Sequence, residues 1–277
     1  MILVTGATGN IGSALLRELR AYGVGPLRGL TREPARAAFP EGVEVMAGDL
    51  ARTSSLQAAL EGARSLFLVS GRGADAEIIE AAGSAGVEHV VLVSSITGQT
   101  HPHLGPAAQN LAVERLLKDS GMTWTILRPT QFASNALLWA QAIRKHEAVR
   151  LPYPDVGLPT IHPADIASVA RAALTGPGHR GLTYALTGPV RITPREQIGA
   201  IATVLGRDIP ITEISRAEAH QQMADLMGDE SAAAVLDLTG GDVNDELLMV
   251  RDTAPRASGV PARTFQQWAA ENAAAFR

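Results

Sequence analysis

Met1-Ile2-Leu3-Val4-Thr5-Gly6-Ala7-Thr8-Gly9-Asn10-Ile11-Gly12 is a short apolar run that breaks into three glycines spaced three apart. Directly behind it, Ile11, Leu15, Leu16 and Leu19 fall on one face of a helix. A strand that turns through glycines into a helix brings backbone N–H groups and the positive end of the helix dipole to one point, where an anion is stabilised. The first glycine permits the tight turn, the second lets a pyrophosphate approach the backbone, and the third lets helix and strand pack closely.

The same alternation continues outward from this turn. Leu27–Thr31, Val43–Ala47, Ser65–Val69, Val90–Ser94 and Thr123–Leu127 read as further strands, giving six with Met1–Thr5. Helical segments separate them. Val113, Leu116 and Leu117 share one face, and Ser54 with Gln57 has the spacing of a capping box. The expected fold class is α/β, a Rossmann doubly wound parallel sheet whose ligands sit beyond the carboxyl ends of the strands, with a smaller C-terminal substrate subdomain. Residues 1–130 are read as the NAD(P)-binding core and 131–277 as mainly the substrate-binding subdomain. A late strand is expected near 182–187, around Tyr184–Leu186. In the second half, Thr193 to Glu196, Ser215 to Glu218 and Thr264 with Gln267 mark helix starts, and Phe265, Trp268, Ala269 and Phe276 fall along one side of the last helix.

Composition removes several classes of function. The 277 residues carry no cysteine, so disulfides, thiol catalysis, iron–sulfur clusters and Cys-based zinc sites are excluded. A net charge of −4 gives no basic field for nucleic acid or an anionic membrane. No apolar run approaches the roughly 20 residues of a spanning helix, and Met1–Thr5 lacks the basic start of a signal peptide; a cytoplasmic location is expected. His101-x-His103 has no third ligand at a suitable spacing, so no metal site is assigned. The oligomeric state is not readable.

For a dinucleotide, Gly6, Thr8, Gly9, Asn10, Ile11 and Gly12 are the expected pyrophosphate turn. Arg32, at the end of the second strand, is placed to pair with a 2′-phosphate, with Thr31 adding a hydroxyl, which favours NADP(H) over NAD(H). The competing reading is a solvated arginine paired with Glu33. Asp49 and Leu50 would flank the adenine, although Asp49 also reads as a turn aspartate. Ser70 and Gly71 would pass near the pyrophosphate and ribose.

These motifs, with Ser94-Ser95 ending strand five, Ser120 to Pro129 followed by Phe132, His162-Pro163-Ala164-Asp165-Ile166-Ala167, and Arg263-Thr264-Phe265 near the end, resemble the NmrA-like atypical short-chain dehydrogenase/reductases. The resemblance covers almost the whole chain. It implies NAD(P) binding, with members that are quinone or triphenylmethane-dye-type reductases and others that bind the dinucleotide as redox sensors. Typical members of the wider superfamily use a tyrosine with a lysine four residues later as the proton-transfer pair. Here Tyr22, Tyr153 and Tyr184 are followed at that spacing by Pro26, Gly157 and Gly188, so the pair is missing. Asn110 stands where close relatives often have a histidine four residues before the glutamate, here Glu114.

The resemblance assigns catalysis to Ser95, Thr97 and Asn110, cofactor contacts also to Ser94, Pro129 and Phe132, and the substrate region to His101, His103, Gln131 and Asn135. Trp139 reads as core, and Asp165 as a first-turn carboxylate of a helix. The expected function is NAD(P)H-dependent reduction of a small conjugated acceptor, a quinone or an aromatic or polyketide-like ketone, by hydride transfer without the Tyr–Lys pair. The alternatives are a non-catalytic NAD(P)-binding redox sensor or accessory protein, and an atypical oxidative, monooxygenase-like step on an aromatic polyketide.

Overall fold

Nine strands occur in the computed structural model, which describes residues 1–71 and 73–277: β1 (Ile2–Val4), β2 (Leu27–Thr31), β3 (Val43–Ala47), β4 (Ser65–Val69), β5 (His89–Val93), β6 (Thr123–Pro129), β7 (Val149–Leu151), β8 (Leu182–Leu186) and β9 (Ile211–Glu213). Seven form one all-parallel sheet in the order β3-β2-β1-β4-β5-β6-β8, and β7 pairs with β9 apart from it. The strand order reverses between β1 and β4, so the crevice at the carboxyl ends opens beside β1. This is the doubly wound sheet expected from the alternation, with the late strand β8 returning to its edge.

Strand residues alternate between two apolar layers. Val4, Phe67, Val91, Val93 and Leu127 face the first helix, α1 (Asn10–Ala21), and the helix Pro163–Thr175. Leu3, Leu66, Leu68, Val90, Leu92 and Ile126 face the opposite layer, with Leu60, Ile78 and Leu117. The α1 face read from the sequence is confirmed, since Ile11, Leu15, Leu16 and Leu19 are all buried. A third apolar cluster belongs to the second half of the chain and joins Ile143, Val149, Ile198, Phe265, Trp268 and Phe276, with Trp139 packed against it. There Trp268 and Phe276 meet edge-on at 6.2 Å.

Several local expectations differ from what is found. Met1 and Thr5 lie outside β1; the Thr5 N–H and hydroxyl both donate to the Phe67 carbonyl. The fifth strand runs from His89 to Val93, so Ser94 is the first residue past its carboxyl end. Ser54 caps nothing: residues Thr53–Leu56 form a 3-10 turn and the following Gln57–Leu60 helix has no side-chain cap. Leu116 is exposed whereas Glu114 is buried, because the Gly105–Asp119 helix turns a carboxylate toward the sheet to meet Arg128. Ser215 accepts the Glu218 N–H, but the Glu218 carboxylate goes to Arg150 instead of closing the box. Thr193 with Glu196 and Thr264 with Gln267 do form complete boxes. Among the described residues no helix is long and apolar enough to cross a membrane.

Candidate functional site

The glycine turn has the geometry that a phosphate requires. Gly6 has φ +57°, and its carbonyl accepts the Gly9 N–H at 2.9 Å. A Cβ on Gly12 would stand 2.2 Å from the Gly6 oxygen, so helix and turn close on each other only because that side chain is missing. On Gly9 the same atom would meet the Gly6 oxygen at 3.2 Å, a tight contact but not an impossible one. α1 begins with no side-chain cap and no acidic residue in its first turn. The N–H groups of Asn10, Ile11 and Gly12 have no intrahelical acceptor and are left for an anion.

A cleft of about 490 Å³ opens over this turn, bounded by Gly6, Thr8–Gly12, Leu30–Arg32, Gly48–Leu50, Val69 and Phe132. Arg32 is exposed and makes no ion pair among the described residues, because Glu33 pairs instead with Arg36 at 2.8 Å. The solvated Arg32–Glu33 pair is therefore not formed. The Asp49 carboxylate closes its own turn: it accepts the Ala51 N–H at 3.1 Å and lies 3.5 Å from Arg52, while its residue still borders the cleft. Ser70 and Gly71 stand off the lining. The Ser70 hydroxyl donates to the Asn110 side-chain oxygen at 2.7 Å, and the Gly71 N–H to Asp75.

A second cavity, of about 270 Å³, lies past the carboxyl ends of β5 and β6. Ser94–Thr97 and Pro129–Phe132 form its base, Asn135 its side, and Leu158, Pro159, Val235, Leu238, Thr239 and Leu247 the remainder. Phe132 lines both cavities, so the two adjoin at this residue. The Ser94 hydroxyl donates to Glu114 at 2.7 Å, and Glu114 receives Arg128 through two bonds of 2.8 and 2.6 Å. This buried ion pair holds the strand-five end and strand six against the helix behind them. Thr97 donates to the Ser95 hydroxyl at 2.9 Å, leaving a Ser95 proton to be directed into the cavity. The Thr130 hydroxyl donates to Pro159 at 2.7 Å and joins base to side.

The histidine loop is not what the sequence suggests. His101 is fully buried, with Nδ1 2.8 Å from the Thr100 hydroxyl and Nε2 2.7 Å from the Asp242 carbonyl. It fastens the loop after β5 to the segment over the cavity and does not reach the cavity itself. His103 is exposed and also off the lining, as is Asn110. Neither Tyr153 nor Tyr184 borders either cavity: Tyr184 bonds His179 at 2.8 Å, and Tyr153 lies beneath Gly240, where a Cβ would come within 2.2 Å of its ring. His162 caps the helix it precedes, accepting the Ala164 N–H, and Asp165 is paired with Arg263 at 2.6 Å, so the His-Pro-Ala-Asp motif is a clasp between that helix and the C-terminal segment. Burial raises the Asp165 carboxyl above its ordinary value, against the pull of Arg263.

The cavity side formed by Val235 to Leu247 was not identified from the sequence. The signals were there but ambiguous: Ala232, Val235 and Leu236 have helical spacing, and Asn244 caps Asp245–Leu248 by accepting the Leu247 N–H. Nothing in such short segments states what they will cover.

The sequence profile described as NAD(P)H-binding matches residues 6–177. The (4-alkanoyl-5-oxo-2,5-dihydrofuran-3-yl)methyl phosphate reductase of Streptomyces griseus is 37% identical, with 100% of this chain and 99% of that protein aligned. The NAD(P)H azoreductase of Xenophilus azovorans is 36% identical over 100% of this chain and 99% of its own. The crystal structure of an Escherichia coli NADPH-dependent quinone oxidoreductase complexed with NADPH superimposes with a TM-score of 0.79 at 26% identity, covering 98% of this chain and 99% of that one. With the glycine turn, the seven-stranded sheet and the crevice between them, these likenesses place the chain: it belongs to the NAD(P)H-binding family of NmrA-like, atypical short-chain dehydrogenase/reductases.

Proposed function

We propose that this chain is an NADPH-dependent reductase of a small, flat, conjugated acceptor, either a quinone or an aromatic or polyketide-like ketone. The observation that carries the reading is Phe132, a single ring shared by the anion-binding cleft and the apolar cavity. The residues of the first cleft fit a dinucleotide: free N–H groups at the start of α1, room kept by Gly9 and Gly12, and the unpaired Arg32. The turn Gly6–Gly12 would hold the pyrophosphate and Arg32 the 2′-phosphate, while Pro129 and Phe132 would flank the nicotinamide. When bound, the dinucleotide supplies a hydride. Ser95, Thr97, Gln131 and Asn135 would orient the acceptor by hydrogen bonds, and residues after Pro129 would exclude water from it.

Among the described residues, no His, Tyr, Lys, Asp or Glu lines the acceptor cavity. An acceptor that spreads the arriving charge over a conjugated system, and takes its proton from solvent only on leaving the cavity, needs none of them. Relatives named as a quinone oxidoreductase and an azoreductase point the same way. Stopped-flow absorbance at the NADPH band with a panel of naphthoquinones and polycyclic ketones tests the proposal, with oxidation of NADPH as the expected result.

The lack of a proton donor also favours a second reading, a dinucleotide sensor without turnover. Tight NADPH binding with no consumption across the panel would establish it.

A further inference from the structure

Fifteen described residues line the acceptor cavity, and none carries a formal charge. The charged side chains next to that lining are matched elsewhere. Arg128, behind Ser94, is held by Glu114; Asp237, beside Leu238, pairs with Arg216 at 2.8 Å; Arg251 is taken by Glu246, the neighbour of Leu247. What the cavity offers is a set of neutral dipoles, from Ser95, Thr97, Gln131, Asn135 and Thr239, set among Ile96, Leu158 and Leu247, which pack into one apolar cluster.

An anion entering such a space loses its hydration and meets hydroxyls and amides that cannot neutralise it, whereas a neutral carbonyl loses far less. The contrast inside the molecule is direct, because the neighbouring cleft has both an uncapped helix N-terminus and Arg32. The phosphates of a dinucleotide held there would add like-charge repulsion to any second anion.

We infer that the acceptor is not an anion, and that compounds bearing a phosphate, sulfonate or carboxylate on the part that enters the cavity are excluded. The inference rests on the reductase reading for turnover. It also separates this chain from the Streptomyces griseus relative named for a methyl phosphate substrate, despite their end-to-end similarity.

The test compares 2-methyl-1,4-naphthoquinone with 1,4-naphthoquinone-2-sulfonate, using the full chain and NADPH. The sulfonate withdraws electrons and makes the ring the better hydride acceptor, so slower turnover of it cannot come from the chemistry. The neutral quinone should have a kcat/KM at least about 100-fold higher, the scale of an uncompensated polar burial. Asn135→Lys and Thr239→Lys each place a cation on the lining and should narrow that ratio about tenfold, through the KM of the sulfonate. A ratio within about threefold, or one that neither lysine alters, overturns the inference. If neither compound is reduced, the reductase reading fails and selectivity is read from binding to the NADP⁺-loaded protein by tryptophan fluorescence. There the neutral quinone should bind and the sulfonate should not. Equal binding, preference for the sulfonate, or binding of neither overturns the inference.

Discussion

The cleft over the glycine turn and the cavity beyond Phe132 adjoin, yet they are made of different things. The cleft draws on backbone: N–H groups from one contiguous run, Gly6–Gly12, and the ends of β1 to β4. The cavity draws on side chains from four separated segments, 94–97, 129–135, 158–159 and 235–247. A site of the first kind tolerates change in most side chains provided a few glycines stay. A site of the second kind exists only once the whole chain has folded, and each of its residues can be replaced by evolution for another acceptor. The difference fits a family whose relatives carry the names of a quinone, an azo and a furanone reductase.

The largest expected effect falls on the buried pair that supports the base of the cavity from behind. Glu114 is about 1% exposed and accepts Ser94 and Arg128 together. Glu114→Ala strands the guanidinium and should cost roughly 3–5 kcal/mol of stability in urea denaturation, as for other broken buried pairs. Replacing both partners, Glu114→Leu with Arg128→Met, should recover most of that loss. A Glu114→Ala penalty under about 1 kcal/mol would place the pair with weak surface bridges.

Next in size are the glycines, which separate binding from folding within the backbone-built cleft. Gly9→Val should lose at least about 100-fold in NADPH affinity, roughly 2.7 kcal/mol, with an unchanged circular dichroism spectrum. Gly12→Val, whose Cβ would lie 2.2 Å from the Gly6 oxygen, should also lose about 1–3 kcal/mol of stability from overpacking. If Gly9→Val unfolds while Gly12→Val does not, the roles given to the two glycines are reversed.

The sheet and the cleft were legible because their information is local and redundant. Six strand positions, the α1 face and the glycine spacing each repeat the same statement. The cavity was legible where it borders the sheet, at Ser94–Thr97 and Pro129–Phe132, and at Asn135 just beyond. Its far side depends on where the Asp229–Leu236 helix and the turn after it come to rest, a tertiary fact without a local signature. His101 was misread for a related reason. A histidine in the loop after strand five reads as part of the substrate region, and only its bond to Asp242, 141 positions away, shows that it is a buried fastening.

Arg32 extends the comparison, since among the described residues it is the one charged side chain lining either cavity other than Asp49, which is occupied by its own turn. Arg32→Ala should weaken NADPH by about 1.5–3 kcal/mol, the range of a charge-assisted hydrogen bond, and leave NADH unaffected. An unchanged ratio of the two dissociation constants in a titration removes Arg32 from the cofactor site. Smaller still, Tyr153→Phe and Tyr184→Phe should each keep kcat within about tenfold of the parent, below the 10²–10⁴ loss typical of a general acid. A greater fall in a folded variant would return a tyrosine to the mechanism.

The smallest effect concerns pH, where scaffold and cavity should part completely. His89, His162 and His179 are all pushed below the ordinary histidine value, in each case chiefly by burial. Their native rings stay neutral at pH values where the unfolded chain already binds protons. Stability is therefore full above about pH 6.5 and declines as pH falls below it. His162 shows the reason: its Nδ1 must remain unprotonated to accept the Ala164 N–H at 3.0 Å. Asp75 and Asp165, raised by burial, have the opposite sign: their contribution is complete below the ordinary carboxylate value and is lost as pH rises through the raised one. The melting temperature should thus fall between pH 7.5 and 5.5, and His162→Asn, which keeps a capping acceptor and removes the titrating ring, should fall less. Turnover of a quinone by the folded protein should stay flat over the same range, because no described residue that titrates there lines the acceptor cavity. A bell-shaped kcat profile with an unaltered melting temperature would invert the assignment, placing the titrating group in the site and not in the frame around it.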